Sequence, residues 1–108
     1  MTRTIGLFAL CVFSTAAMAA GNAERGAEKA KQVCAACHGA DGNTPLQAEY
    51  PRIAGQHQDY LYKVLRDYKS GARKNAIMGA QAANLSRQDM QDLAAYFSGQ
   101  KGSLGTIR

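Results

Sequence analysis

From Ala20 to its end the chain has 89 residues, and only 12 of them are Val, Ile, Leu or Phe (2, 3, 6 and 1), about 13%. That is below the ~20% under which a charged chain is expected to stay disordered. Ala supplies another 16 of the 89, but a methyl group buries little area. A domain of this length is already marginal because so much of it is surface. Either the segment is disordered, or something other than its own side chains completes the core. Disulfides do not make up the difference. The cysteines are Cys11, Cys34 and Cys37, and a bridge between residues three apart would remove almost no chain entropy.

The count starts at Ala20 because residues 1–19 read as an export signal. Met1-Thr2-Arg3 is a short basic start, Ile5 to Phe13 is an apolar run, and Ala17-Met18-Ala19 fits the A-x-A cleavage pattern. The run is shorter than the roughly 20 residues that span a bilayer, so the processed protein is not expected to cross a membrane. Cleavage would remove Cys11 and Arg3 and leave a single domain, residues 20–108.

Three segments carry a helical pattern. The first runs from about Asn22, a suitable N-cap, to Cys37, with a stripe of small residues at Ala23, Gly26/Ala27, Ala30, Val33 and Cys37. The second runs from about Gln58 to Ser70, burying Leu61, Val64, Leu65 and Tyr68, with Gly71 as its stop. The third runs from about Arg87 to Ser98 behind a capping box formed by Ser86 and Asp89, and buries Met90, Leu93, Ala94 and Phe97. No stretch alternates with period two, so the expected class is all-α. Two long segments, Gly39 to His57 and Gly71 to Asn84, read as irregular. Loops longer than about 12–15 residues are uncommon in compact domains unless they serve a function. Three helices and two long loops need an object to wrap around.

Cys34-Ala35-Ala36-Cys37-His38 supplies it, because C-x-x-C-H is the sequence for covalent c-type haem attachment. Each thiol can add across one of two neighbouring vinyl groups to form a thioether. The histidine that follows is then placed near the iron, where imidazole is a suitable axial ligand. A zinc site from Cys34, Cys37, His38 and His57 lacks a second paired motif to close the tetrahedron. A redox dithiol would call for an α/β context that is missing. Haem c, one per chain, is the reading.

A second axial ligand should come from a distant segment. Met90 falls on the buried stripe of the last helix and reads as core. Met78, in Asn75-Ala76-Ile77-Met78-Gly79-Ala80, lies outside any helical stripe and is the candidate; a gap-filling core role is its bland alternative. His57 is the other possible sixth ligand. A His/Met pair raises the reduction potential relative to two histidines and closes both axial positions, which favours electron transfer over catalysis. No catalytic residue is expected.

These residues resemble a known family, the class I c-type cytochromes, in the bacterial group of cytochromes c4, c5 and c553. The likeness covers essentially the whole of residues 20–108. It rests on Cys34 to Asn43 (C-A-A-C-H-G-A-D-G-N), Tyr50 to His57 (Y-P-R-I-A-G-Q-H), Tyr60-Leu61, Gly71-Ala72-Arg73, Met78, and Leu85-Ser86 through Leu93-Ala94-Ala95-Tyr96-Phe97. The resemblance implies a class I cytochrome c fold of three main helices and long loops wrapped around one covalent haem. It implies Cys34 and Cys37 as the attachment points and His38 and Met78 as axial ligands. It further implies that the Pro51 carbonyl accepts from His38 Nδ1, that Ile53, Leu61, Leu65 and Leu93 line the haem, and that Gly26 packs against Tyr96. There are two departures. Cytochromes c4 carry two such domains, whereas this chain has one C-x-x-C-H, and Ala30 stands where many class I members place an aromatic. A monohaem protein of the c5 or c553 kind is therefore expected.

The function this resemblance implies is a periplasmic one-electron carrier, not an enzyme, working between a donor such as a quinol-oxidising complex and an acceptor such as a terminal oxidase. The alternative is a haem-bearing electron-relay subunit of a periplasmic dehydrogenase complex. A monomer or weak dimer is expected. The formal net charge is +5, which falls to roughly +2 once Arg3 and two haem propionates are counted, so nucleic acid is not an expected partner. Lys63, Arg66, Lys69, Arg73 and Lys74 concentrate charge on and after the second helix. They read either as a solvated face or as a patch that steers towards an acidic partner.

Overall fold

The structure is a computed structural model that describes residues 2, 4–12 and 21–102. Among the described residues there are five helices: α1 (Ala23–Val33), α2 (Ala35–His38), α3 (Gln58–Ser70), α4 (Ala76–Ala83) and α5 (Arg87–Ser98). There is no strand among the described residues. The three longest helices are the three the periodicity marks out. Asn22 caps α1 through its side chain, which accepts from Arg25 N at 2.9 Å. The capping box on α5 closes in both directions: Ser86 Oγ accepts from Asp89 N at 3.0 Å, and Asp89 Oδ2 accepts from Ser86 N at 2.9 Å. Each such cap is worth about 1 kcal/mol.

Two expectations change. The first helix does not run on to Cys37; it stops at Val33 and a separate single turn follows. Cys34 is where it breaks. Its N–H still bonds back to Ala30 O, but its carbonyl then takes both Cys37 N at 3.2 Å and His38 N at 3.0 Å. The motif is thereby wound into its own turn. The second change concerns the segment Gly71 to Asn84, which is not irregular throughout, because α4 lies within it and carries Met78. Asn75 Oδ1 accepts from the N–H groups of Ile77 and Met78, both at 3.0 Å, and four alanines favour the helix that this cap starts. The segment lacks an amphipathic stripe and holds Gly79, which is why periodicity alone passes over it. Gly39 to His57 is non-helical throughout.

The apolar side chains before Phe13 take no part in the core: Ile5, Leu7, Phe8, Leu10 and Val12 are 79–97% exposed. The cleavage pattern at Ala17–Ala19 and the signal's end lie outside the described residues. Among the described residues no helix is long and apolar enough to cross a membrane.

The core lies where α1 crosses α5 and where α3 leans on both. Ala30, Leu85, Met90, Leu93 and Phe97 form its buried cluster. The α5 stripe is buried as its spacing requires, with Met90 at 4%, Leu93 at 1%, Ala94 at 1% and Phe97 at 3% exposure. Complete burial of a leucine such as Leu93 is worth about 2 kcal/mol. At the crossing, Gly26 lies so close to α5 that a Cβ built on it would stand 2.0 Å from the Asp92 carbonyl oxygen and 2.8 Å from Tyr96 Cβ. The contact with Tyr96 is the one the resemblance implies. Asp92 reinforces it: the buried carboxylate accepts from Asn22 N at 2.7 Å, Gln88 Nε2 at 2.8 Å and Arg25 Nε at 3.1 Å. Burial pushes this carboxyl up, but the hydrogen bonds from Asn22, Gln88 and Arg25 outweigh it, so it sits below the ordinary aspartate range.

Two outcomes are expected. Gly26→Ala should lower the melting temperature of the holoprotein through an overpacking cost of about 1–3 kcal/mol; a melting temperature equal to that of the native protein would mean that the helices can separate freely. A carboxyl with a lowered folded pKa contributes stability above its unfolded value and loses it as the pH falls through the folded one. Asp92→Asn should therefore cost about 1–3 kcal/mol near neutral pH. That cost should shrink towards about pH 2, and denaturant titrations at both pH values, finding the same cost, would contradict this account.

Candidate functional site

A cavity of about 300 Å³ opens between α3 and α5. Leu61, Val64, Leu65 and Tyr68 form its α3 wall, and Leu93, Ala94 and Phe97 its α5 wall. Pro51, Arg52 and Ile53 come from the long loop, Met78 from α4, and Cys34 and His38 from the motif turn. No residue of α3 is fully buried within the protein, because its apolar stripe faces this cavity.

His38 is buried at 7% exposure, and its Nδ1 lies 2.8 Å from the Pro51 carbonyl oxygen. A carbonyl only accepts, so Nδ1 carries the proton and Nε2 is left as the nitrogen with a free lone pair. The loop that delivers Pro51 is tied down on both flanks. Gly42 takes φ +79°, and a Cβ there would meet Ile53 Cγ1 at 2.9 Å and Phe97 Cδ1 at 3.0 Å. Its carbonyl accepts from Ile53 N at 3.0 Å and from Ala54 N at 3.3 Å. On that same flank the Tyr96 hydroxyl donates to Ala40 O at 2.9 Å, and on the other side of Pro51 Gly55 N donates to Phe97 O at 2.9 Å. The loop therefore adopts one course, set by α5 and the motif turn.

Burial, and then the neighbouring Cys37, push the Cys34 thiol up to about 11. It is protonated at neutral pH, the opposite of the depressed thiol that a redox dithiol needs. Cys37 is half-buried and is not among the residues lining the cavity. Of the residues singled out from the sequence, Cys34, His38, Pro51, Ile53, Leu61, Leu65, Met78 and Leu93 all line the one cavity. His57 does not: it is exposed at the N-cap of α3. Arg52, Gln56, Tyr60 and Arg73 also reach the cavity, and the sequence reading missed them. Tyr60 shares the spacing of Val64 and Tyr68, four residues apart on one helix face, so its position could have been found; Arg73 follows the helix and gave no such signal.

The basic strip has mostly internal partners. Lys63 pairs with Asp67, Arg66 stacks over the Tyr62 ring at 4.9 Å, Arg73 stacks over Tyr68 at 5.2 Å, and Lys69 bonds the backbone carbonyls of Ala83 at the end of α4 and of Leu85 just beyond it.

An all-helical domain whose cavity is apolar, faced by a histidine with a free Nε2, a thioether and a thiol, defines a class of protein built to hold a haem. This chain belongs to the cytochrome c family, whose model matches residues 23–101. It is 48% identical to cytochrome c4 of Pseudomonas aeruginosa over 102 residues, which is 94% of this chain and 47% of that protein. It is 41% identical over 85 residues to cytochrome c-554(548) of Halomonas halodenitrificans, covering 76% of this chain and all of that one. The crystal structure of reduced recombinant cytochrome c4 from Pseudomonas stutzeri superposes with a TM-score of 0.71 at 46% identity, over 78% of this chain and 48% of that one. The chain thus spans about half the length of the cytochromes c4 it matches. The fold is that of a class I cytochrome c, and the cofactor is covalently bound haem c with its iron. The donor set and the apolar walls described above fit that group.

Proposed function

We propose that this protein is a periplasmic one-electron carrier, exported by residues 1–19 and working as the domain 20–108. When bound, haem c supplies an iron that takes up and gives back one electron. The rest falls to the chain. Cys34 and Cys37 hold the group through thioethers. His38 would hold the iron through Nε2, and Met78 would hold it through its sulfur. The Pro51 carbonyl fixes the imidazole by its Nδ1–H and makes it a stronger donor. Ile53, Leu61, Leu65 and Leu93 exclude water and keep the local dielectric low, which favours the less charged reduced state. The same stripe of α3 and α5 stiffens the pocket, so little has to move when the charge changes.

The observation that carries this reading is the 2.8 Å bond from His38 Nδ1 to Pro51 O in a cavity that Met78 also lines. His38 and Met78 line one cavity, and an iron that took both as ligands would have no place left for a substrate, which supports a carrier rather than an enzyme. A quinol-oxidising complex or a dehydrogenase as donor, and a terminal oxidase as acceptor, are the partner classes such a carrier serves.

Optical spectra in both redox states test the assignment. The oxidised protein should show the far-red sulfur-to-iron band, and Met78→Ala should lose it while keeping the covalent haem spectrum. A band that persists in the variant would remove Met78 from the iron. Native size-exclusion chromatography from the host should return a monomer or weak dimer; stable co-elution with a flavin or quinone subunit would replace the free carrier with a relay subunit.

A further inference from the structure

Helix α4 carries Met78, yet little of the helix itself is packed. Its eight residues include no charged side chain, and only Ala82 is buried; Ile77 is 54% exposed. Short helices with few buried contacts open easily. A ligand on such an element would exchange with added bases unless something else held the helix in place.

Two cations from the α3 side hold it. At the exit of α4, Lys69 Nζ donates to the Ala83 carbonyl at 3.2 Å and, more closely, to the Leu85 carbonyl. The last carbonyls of a helix lack intrahelical donors and carry the negative end of its dipole. An ammonium placed there makes charge-assisted bonds. At the entry, Arg73 lies between Gly71, which closes α3, and Asn75, which caps α4. Its guanidinium stacks on Tyr68 at 5.2 Å, its Nη1 is 3.4 Å from the Tyr60 hydroxyl, and its backbone N–H donates to Asp67 O at 3.1 Å. Tyr60, Tyr68, Arg73 and Met78 line the same cavity.

We propose that Lys69 and Arg73 form a two-ended clasp that fixes the Met78 helix against α3, with Lys69 a positioning residue for the sixth ligand of the iron. This rests on the reading of Met78 as that ligand. The clasp gives two of the cations in the basic strip a role in retaining the ligand, in place of steering a partner.

Imidazole binding to the oxidised holoprotein tests it. Lys69→Met keeps the stem and removes the donors, whereas Lys69→Arg keeps charge and donors. Lys69→Met should bind imidazole roughly tenfold more tightly than the native protein, the change expected from losing a charge-assisted hydrogen bond. It should also lose the far-red band on warming while its helical circular dichroism is still intact. Lys69→Arg should stay close to native, and Arg73→Gln should shift in the same direction as Lys69→Met. If imidazole affinity is unchanged in Lys69→Met, or if its band and its helices are lost together, the clasp is overturned. Met78→Ala separates the two claims. Retention of the band there overturns the ligand assignment and the clasp with it; loss of the band there, beside a native-like Lys69→Met, overturns the clasp alone.

Discussion

Apolar area is the scarce quantity in this protein, and its architecture follows from how that area is placed. Leu93 is the one large side chain buried completely among the described residues, and the cluster around it holds only Ala30, Leu85, Met90 and Phe97. Leu61 and Leu65 pack against that cluster from its edge, and with Val64 and Tyr68 they also face a cavity, opposite Leu93 and Phe97. Haem c adds a large apolar plane to those walls, so the cofactor is part of the core as well as the redox centre. One set of side chains then serves both stability and function.

The cavity has a tight side and a loosely packed side. On the tight side, α1 and α5 meet with almost no side chain between them at Gly26, and the Asp92 carboxylate gathers three donors across the crossing. The motif turn and the Pro51 loop are anchored to this frame, so His38 is positioned by rigid backbone. On the other side, α4 has few buried residues; Lys69 bonds the carbonyls at its exit, and the Arg73 segment that leads into it is tied back to α3. An iron held by one ligand from each side would keep its histidine far more securely than its methionine, and the difference follows from packing rather than from ligand chemistry.

Much of this was legible in the sequence. The caps at Asn22 and Ser86 and the stripe Met90, Leu93, Ala94 and Phe97 each encode their structure within a few residues, and each is found where expected. Two elements were not. The break at Cys34 depends on its carbonyl bonding both Cys37 and His38, a choice of hydrogen-bond partner that leaves no trace in periodicity. Helix α4 is specified by a cap and by alanines with no amphipathic face, because one side of it meets the cavity and the other meets solvent without polar side chains to mark it. The partners of Lys69 and Arg73 were hidden for a different reason. Charge on a helix face is visible in a sequence, but a contact with a carbonyl fourteen or sixteen residues away is not.

If the cofactor completes the core, its absence should be felt by the whole domain and not only by the redox chemistry. The most direct measurement is circular dichroism and proton NMR on residues 20–108 with Cys34 and Cys37 both replaced by Ser, beside the same measurements on the holoprotein. The holoprotein should melt cooperatively with dispersed resonances, and the haem-free chain should be largely unfolded with only residual helix. A haem-free chain that melts cooperatively and gives a well-dispersed spectrum would show that the side chains suffice without the cofactor.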